Sequence, residues 1–279
     1  MDLVAGMARH RRRAGRSVAS LAFLFGLIEG VGPAAAAERE VDLELVLAVD
    51  VSRSMDYDEQ MLQRRGYAEA LTHPEVLSAI HAGLLGRIAV AYFEWAGPGQ
   101  QRVAVNWHLI EDGASAKIFA DKITDAQLGM ASGTSISSGL SAAADLFDDN
   151  GFSAYRRVID ISGDGPNNRG GMVEPVRDKV LARGIVINGL PIMLNPPGYS
   201  PYSIDDLDVY YRDCVIGGPG SFLVPVRGEE QMIEAIRRKL ILEVASALPR
   251  VIPADVLLPA EKTSDCLIGE KLWRRYMDP

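Results

Sequence analysis

The strongest constraint on this chain is an alternation along its length. Short apolar runs recur between segments of helical spacing. Residues 43–49 form an apolar run that ends in Asp50, as a buried strand would. Residues 57–71 have helix-spaced apolar positions and good helix formers. Two further apolar runs, 87–93 and 103–110, flank the turn signal Gly97-Pro98-Gly99, so they read as a hairpin. Helical spacing then covers 114–126 and 137–147, followed by a strand at 157–162 and a helix at 173–183 that Gly184 stops. A strand at 185–190, a short helix within 203–213, a sixth strand at 221–226 and a long helix at 229–247 complete the pattern.

Strands that alternate with helices need crossovers, and crossovers of one hand wind a mostly parallel sheet between two helical layers. The expected fold is therefore α/β: a doubly wound, mostly parallel six-stranded sheet with one antiparallel edge strand and helices on both faces. A chain of 279 residues holds one such domain with a substantial core, not two large ones. The domain is expected over residues 41–249. Residues 250–279 contain Pro253 and Pro259 and no long apolar period, and read as an irregular C-terminal tail packed on the domain.

Residues 1–36 read as a signal peptide. The basic stretch His10-Arg11-Arg12-Arg13 leads into an apolar run from Val18 to Ile28, then Gly32-Pro33 and a run of alanines. The apolar run is short for a membrane span, although an uncleaved anchor is the alternative reading. Export by the general secretory route to the periplasm or beyond follows. The leader carries five arginines against Asp2 and Glu29, so its removal takes the net charge from −8 to −11. So acidic a product is a poor ligand for nucleic acid or an anionic membrane. The two cysteines, Cys214 and Cys266, leave two readings: a bridge tying the tail to the domain, or two unpaired thiols.

Three stretches carry chemistry. Asp50-Val51-Ser52-Arg53-Ser54 follows the first strand, Gly133-Thr134-Ser135 precedes a helix, and Ser162-Gly163-Asp164-Gly165 follows another strand. In an open α/β sheet these places share one edge, where ligands bind. Singly, each has a bland explanation: Ser54, Asp56 or Thr134 could cap a helix, and Asp164 could shape a turn. Together they bring five oxygen-bearing side chains, Asp50, Ser52, Ser54, Thr134 and Asp164, toward one point.

This set, in this order, resembles the metal-ion-dependent adhesion site of von Willebrand factor A-like (vWA) domains, including integrin I domains, whose fold is Rossmann-like. The resemblance covers roughly residues 41–247. It implies that Ser52, Ser54 and Thr134 touch the metal through their hydroxyls and that Asp50 and Asp164 bind directly or through water. The chain also resembles an uncharacterised bacterial family of secreted A-domain proteins, which supplies no function. Hard oxygen donors without His or Cys select Mg²⁺, Mn²⁺ or Ca²⁺. An electron-poor cation with an open position attracts an outside carboxylate. The expected role is thus an exported, non-enzymatic module that captures a Glu or Asp of a partner protein.

Two rivals are a Mg-dependent hydrolase and a module whose metal merely stabilises it. A haloacid dehalogenase-type phosphatase needs a second Asp where Ser52 stands, and there is no Walker loop or Gly-x-Ser-x-Gly elbow. His73, His81 and His108 match no metal spacing. Glu94-Trp95 reads as strand-end packing, and Pro166 to Arg169 as a turn that could line the rim.

Overall fold

The computed structural model describes residues 38–195, 198, 200, 202–245 and 264–277. The expected leader at 1–36 lies outside the described residues, as does the first half of the expected tail.

Five strands form one sheet: β1 (Arg39–Asp50), β2 (Ile88–Trp95), β3 (Gln101–Ile110), β4 (Phe152–Gly163) and β5 (Ile185–Pro191), in the order β3-β2-β1-β4-β5. β1 pairs in parallel with β2 and β4, and β4 with β5. β3 is the antiparallel edge, joined to β2 by the expected hairpin.

The expected sixth strand at 221–226 is not one. That segment runs beside β5 through isolated bridges, Gly189 to Leu223 and Ile192 to Val226. Gly189 N–H donates to Phe222 O and Val224 N–H to Gly189 O, and Val226 N–H then donates to Pro191 O. The rung between them would be donated by Pro191, which has no N–H, and Pro225 lacks one on the facing segment. Composition fits a strand; Pro191, on the neighbouring strand, breaks the ladder.

Side-chain alternation along β1 divides the core. Leu43, Leu45, Leu47 and Val49 face one layer, with Tyr67 and Leu71 of α1 (Tyr57–Thr72), Ile80 of α2 (Pro74–His81), Phe119 of α3 (Gly113–Asp125) and Ile236 and Leu240 of α7 (Glu229–Ala245). Val46 and Ala48 face the other. There they meet Leu140 of α4 (Ile136–Asp145), Val180 of α5 (Val173–Ala182) and Tyr210 of α6 (Leu207–Tyr210). Helix α6 runs straight into a π-helical turn, Tyr211–Val215. Helix α2, which opens on Pro74, is not among the helices expected from the sequence. That proline occupies the first helical position, where its missing N–H costs nothing, behind a His73 cap.

The tail is not wholly irregular. Its residues 268–277 form α8 (Ile268–Met277), and a Cys214–Cys266 disulfide with Cα atoms 5.5 Å apart fastens it to the π-helical turn. Of the two readings of the cysteines, the bridge is the one found.

Candidate metal centre

Asp50 is the last residue of β1, paired with Trp95 of β2, and Ser162 of β4 pairs with Val49. Asp164 lies one residue beyond β4. The two carboxylates therefore flank the point where the chain reverses its winding, between β1 and β4, at the carboxyl ends of both strands.

The loop after β1 is closed by Asp50 itself, whose Oδ1 accepts the Ser52 N–H at 2.7 Å. Ser52 Oγ lies 2.9 Å from Ser54 Oγ, and Ser54 Oγ donates to Asp164 Oδ1 at 2.7 Å. Four of the five expected residues are thus linked hydrogen bond by hydrogen bond. Thr134 joins through its backbone. Its N–H donates to Asn168 Oδ1 at 3.0 Å, and its carbonyl accepts from the N–H groups of Asn168 and Arg169. Ala131 N–H donates to Val51 O, which ties the Thr134 loop to the end of β1. Ser52, Ser54, Thr134, Asp164 and Asn168 line one cavity; Asp50 sits beneath it, fully buried.

The capping explanation holds for Asp56 and fails for Ser54 and Thr134. Asp56, not Ser54, caps α1, in a reciprocal box with Glu59. Ser135, not Thr134, caps α4. The hydroxyls of Ser54 and Thr134 are therefore free of helix-capping duty.

The donor set fits a hard cation. Asp50 Oδ2 is buried and has no hydrogen-bond partner, an expensive state for a carboxylate oxygen. Burial, and then the negative charge of Asp164, push the Asp50 carboxyl well above the usual range. Burial raises Asp164 to about 6, against the opposing pull of its Ser54 bond. No described basic side chain forms an ion pair with either. Gly163 keeps the floor clear: a Cβ there would stand 2.9 Å from both Asp50 Oδ2 and the buried Tyr211 hydroxyl. Among the described residues no group of three or more His, Cys, Asp and Glu is placed to hold a metal. A site of two carboxylates and three hydroxyls is of another kind.

The remaining suspects have structural work. Glu94 is clamped by Arg64 and Arg102, each at 2.5 Å, and Trp95 Nε1 donates to Ala48 O. His73 caps α2, His81 meets the Glu111 carbonyl, and His108 stacks on Phe119. Two contributors escape the sequence. Asn168, in a turn that reads only as a rim, positions Thr134. Tyr211, signalled by nothing but an aromatic pair, reaches under the site from the π-helical turn.

Residues 40–248 match the model of a family described as "Protein of unknown function (DUF1194)", and the chain belongs to that family. No curated protein matches the sequence. Solved structures share the fold. The pilus adhesin SpaC from Lactobacillus rhamnosus GG aligns with a TM-score of 0.53 at 12% identity, over 74% of this chain and 31% of that one. Proximal thread matrix protein 1 from the mussel byssus, solved with a zinc-occupied MIDAS motif, aligns with a TM-score of 0.53 at 13% identity, over 76% and 49%. A von Willebrand factor type A structure from Catenulispora acidiphila aligns at 0.48 and 16% identity, over 75% and 43%. The chain spans about a third to a half of the length of these structures. With the first two, both above a TM-score of 0.5, the chain shares its α/β fold.

Proposed function

We propose that this chain is an exported, divalent-cation-dependent interaction module that captures a carboxylate of a partner protein. Asp50, Ser52, Ser54, Thr134 and Asp164 form its metal site. The observation that carries the reading is the pair of carboxylates, buried Asp50 and half-buried Asp164, which face each other with no described basic side chain in an ion pair with either. Two carboxylates match the charge of a dication, and the hydroxyls add neutral lone pairs. A bound Mg²⁺, Mn²⁺ or Ca²⁺ would supply an electron-poor coordination position open to an outside acid. The resemblance to adhesion-site domains points the same way, as does the mussel matrix protein, which was solved with zinc in such a motif.

The role is one of binding, not turnover. Ser52 and Ser54 as nucleophiles would need a neighbouring base, and the three described histidines are engaged elsewhere. Residues 1–36 act as the leader, residues 41–249 as the interaction domain. A disulfide suits an oxidising compartment such as the periplasm, and no described helix is long and apolar enough to cross a membrane.

The test is calorimetric titration of the purified chain with Mg²⁺, Mn²⁺, Ca²⁺ and Zn²⁺, followed by capture from envelope extract with metal or with EDTA. One-to-one ion uptake that Asp164→Ala abolishes, and a partner retained only with metal, are expected. Absence of ion uptake by the intact chain would falsify the reading.

A further inference from the structure

The metal site does not open onto a flat face. The cavity that begins at Ser52, Ser54, Thr134 and Asp164 has a volume of about 670 Å³ and continues past them to Met193, Tyr202, Ile204, Leu207 and Trp273. Beyond the oxygen ligands the lining is mixed: apolar and aromatic side chains stand beside polar and charged ones such as Ser203, Asp205 and Arg227. A volume of this order is typical of pockets that enclose a ligand.

The far wall is a built one. Trp273 belongs to α8, which the Cys214–Cys266 bridge pins to the domain just before the helix starts. Asn167 Nδ2 donates to Glu270 Oε1 at 2.7 Å, and α8 packs so closely there that a Cβ on Gly269 would collide with Asn167 O. The Arg169 guanidinium lies over the Trp273 ring, 4.5 Å from its centroid, and the Tyr202 ring lies 5.5 Å from Trp273 and 6.0 Å from Tyr276. Asn167, Asn168 and Arg169 follow Asp164 in one loop, and Asn168 holds Thr134. The metal loop and the apolar wall are therefore braced as one unit.

We infer that the ligand is a protruding peptide segment in which an acidic residue is followed by a large apolar or aromatic one, the carboxylate going to the metal site and the apolar side chain to the wall of Met193, Leu207 and Trp273. This rests on the metal-site reading above and adds a specificity pocket to it. A flat protein surface could reach the cation only through a side chain and would leave that wall wet; a segment with an adjacent apolar residue fills both ends. Trp273 is then a specificity residue that touches the ligand and not the metal.

The experiment uses the full mature chain loaded with Mg²⁺ and three capped tetrapeptides, Gly-Asp-Phe-Gly, Gly-Asp-Gly-Gly and Gly-Asn-Phe-Gly, followed by calorimetry and tryptophan fluorescence. The Asp-Phe peptide should bind roughly tenfold or more tighter than Asp-Gly, the scale of burying one aromatic side chain, and the Asn-Phe peptide should lose binding. Trp273→Ala, and independently Met193→Gln, should erase the preference for Phe while leaving Mg²⁺ affinity unchanged. Equal affinity for the Asp-Phe and Asp-Gly peptides, or binding of neither by the Mg²⁺-loaded chain, overturns the pocket and leaves the metal site standing. Failure to take up Mg²⁺ in the peptide-free titration sinks the metal site itself, so the two failures read differently.

Discussion

Strand β4 and the loop that follows it carry two aspartates four residues apart, and the chain treats them in opposite ways. Asp160 and Asp164 are each raised to about 6, chiefly by burial. Each belongs to a two-carboxylate cluster. Asp160 shares its surroundings with Glu243 of α7, and Lys239 Nζ sits between them, 2.7 Å from Asp160 Oδ1 and 2.5 Å from Glu243 Oε1. Glu243 Oε2 further accepts from Asn188 Nδ2 at 2.7 Å. All three charged groups are at most 1% exposed. Asp164 faces Asp50, with hydroxyls around them and no described basic side chain in an ion pair with either. Folding gives the first cluster a counter-charge of its own, Lys239, and gives the second none among the described ion pairs. Burying like charges is costly, so a chain that resolves the problem once and leaves it unresolved four residues away is consistent with a site kept for a ligand.

The largest expected effect breaks the cluster that Lys239 bridges. Lys239→Met leaves Asp160 and Glu243 buried without a counter-charge, and should cost about 3–5 kcal/mol of stability. Urea denaturation measures it. Replacing all three partners with apolar residues of similar volume should recover most of that loss, because it is the orphaned charge that is expensive. If Lys239→Met is tolerated, the contrast between the clusters disappears.

Asp160 gives the contrast a pH signature. Its folded pKa lies above the ordinary 3.8, so the folded state holds the proton more tightly than the unfolded chain. Stability from this group is therefore present at low pH and is lost as pH rises from about 4 to about 6, by up to about 3 kcal/mol. The stability difference between the wild type and Asp160→Asn should change in that window and be flat above it. A difference that changes only above pH 7 would contradict the assignment.

Metal should act on the other cluster alone. Mg²⁺ at a hundred times its Kd should raise stability by about 2.7 kcal/mol through binding to the folded state. Asp164→Asn should abolish the gain while leaving the EDTA-treated protein as stable as the wild type or more so, since it removes repulsion with Asp50. Thermal melts with and without EDTA check both halves. Lys239→Met should still respond to Mg²⁺ in full.

The two clusters also differ in how far they can be read from the sequence. The rim set is legible because its residues stand just after apolar strands or before helices, and topology alone sends such places to one edge. The mostly parallel sheet and its antiparallel edge follow from the same pattern. Lys239 and Glu243 are not legible. Spaced i to i+4 on a helix, they look like an exposed pair, and nothing local says that α7 turns that face onto β4 and Asp160. The sixth strand fails for a different reason, since what prevents its ladder is Pro191, on the neighbouring strand. Helix α8 is hidden because its ten residues have no core of their own. Its position depends on the bond to Cys214, and the cysteine count leaves that bond open.

The smallest expected effect on stability is the most discriminating. Ser54 is exposed, and its hydroxyl bonds only within the rim, to Ser52 and Asp164. Ser54→Ala should leave the stability of the EDTA-treated protein within about 0.5 kcal/mol of the wild type, as surface substitutions do, yet weaken Mg²⁺ binding roughly tenfold or more. Ser162 is the matched control. It is the buried hydroxyl of β4, accepts from Gln63 Nε2 at 2.8 Å, and faces the same side of the sheet as Asp160. Ser162→Ala leaves that buried amide donor without its partner, which costs about 1–3 kcal/mol, and should not change Mg²⁺ affinity. One hydroxyl would then matter to the ion and not to the fold, the other to the fold and not to the ion. Should both variants move stability alike and spare Mg²⁺ binding, the rim serines are ordinary loop residues, and the pair of carboxylates beside them has no claim to a cation.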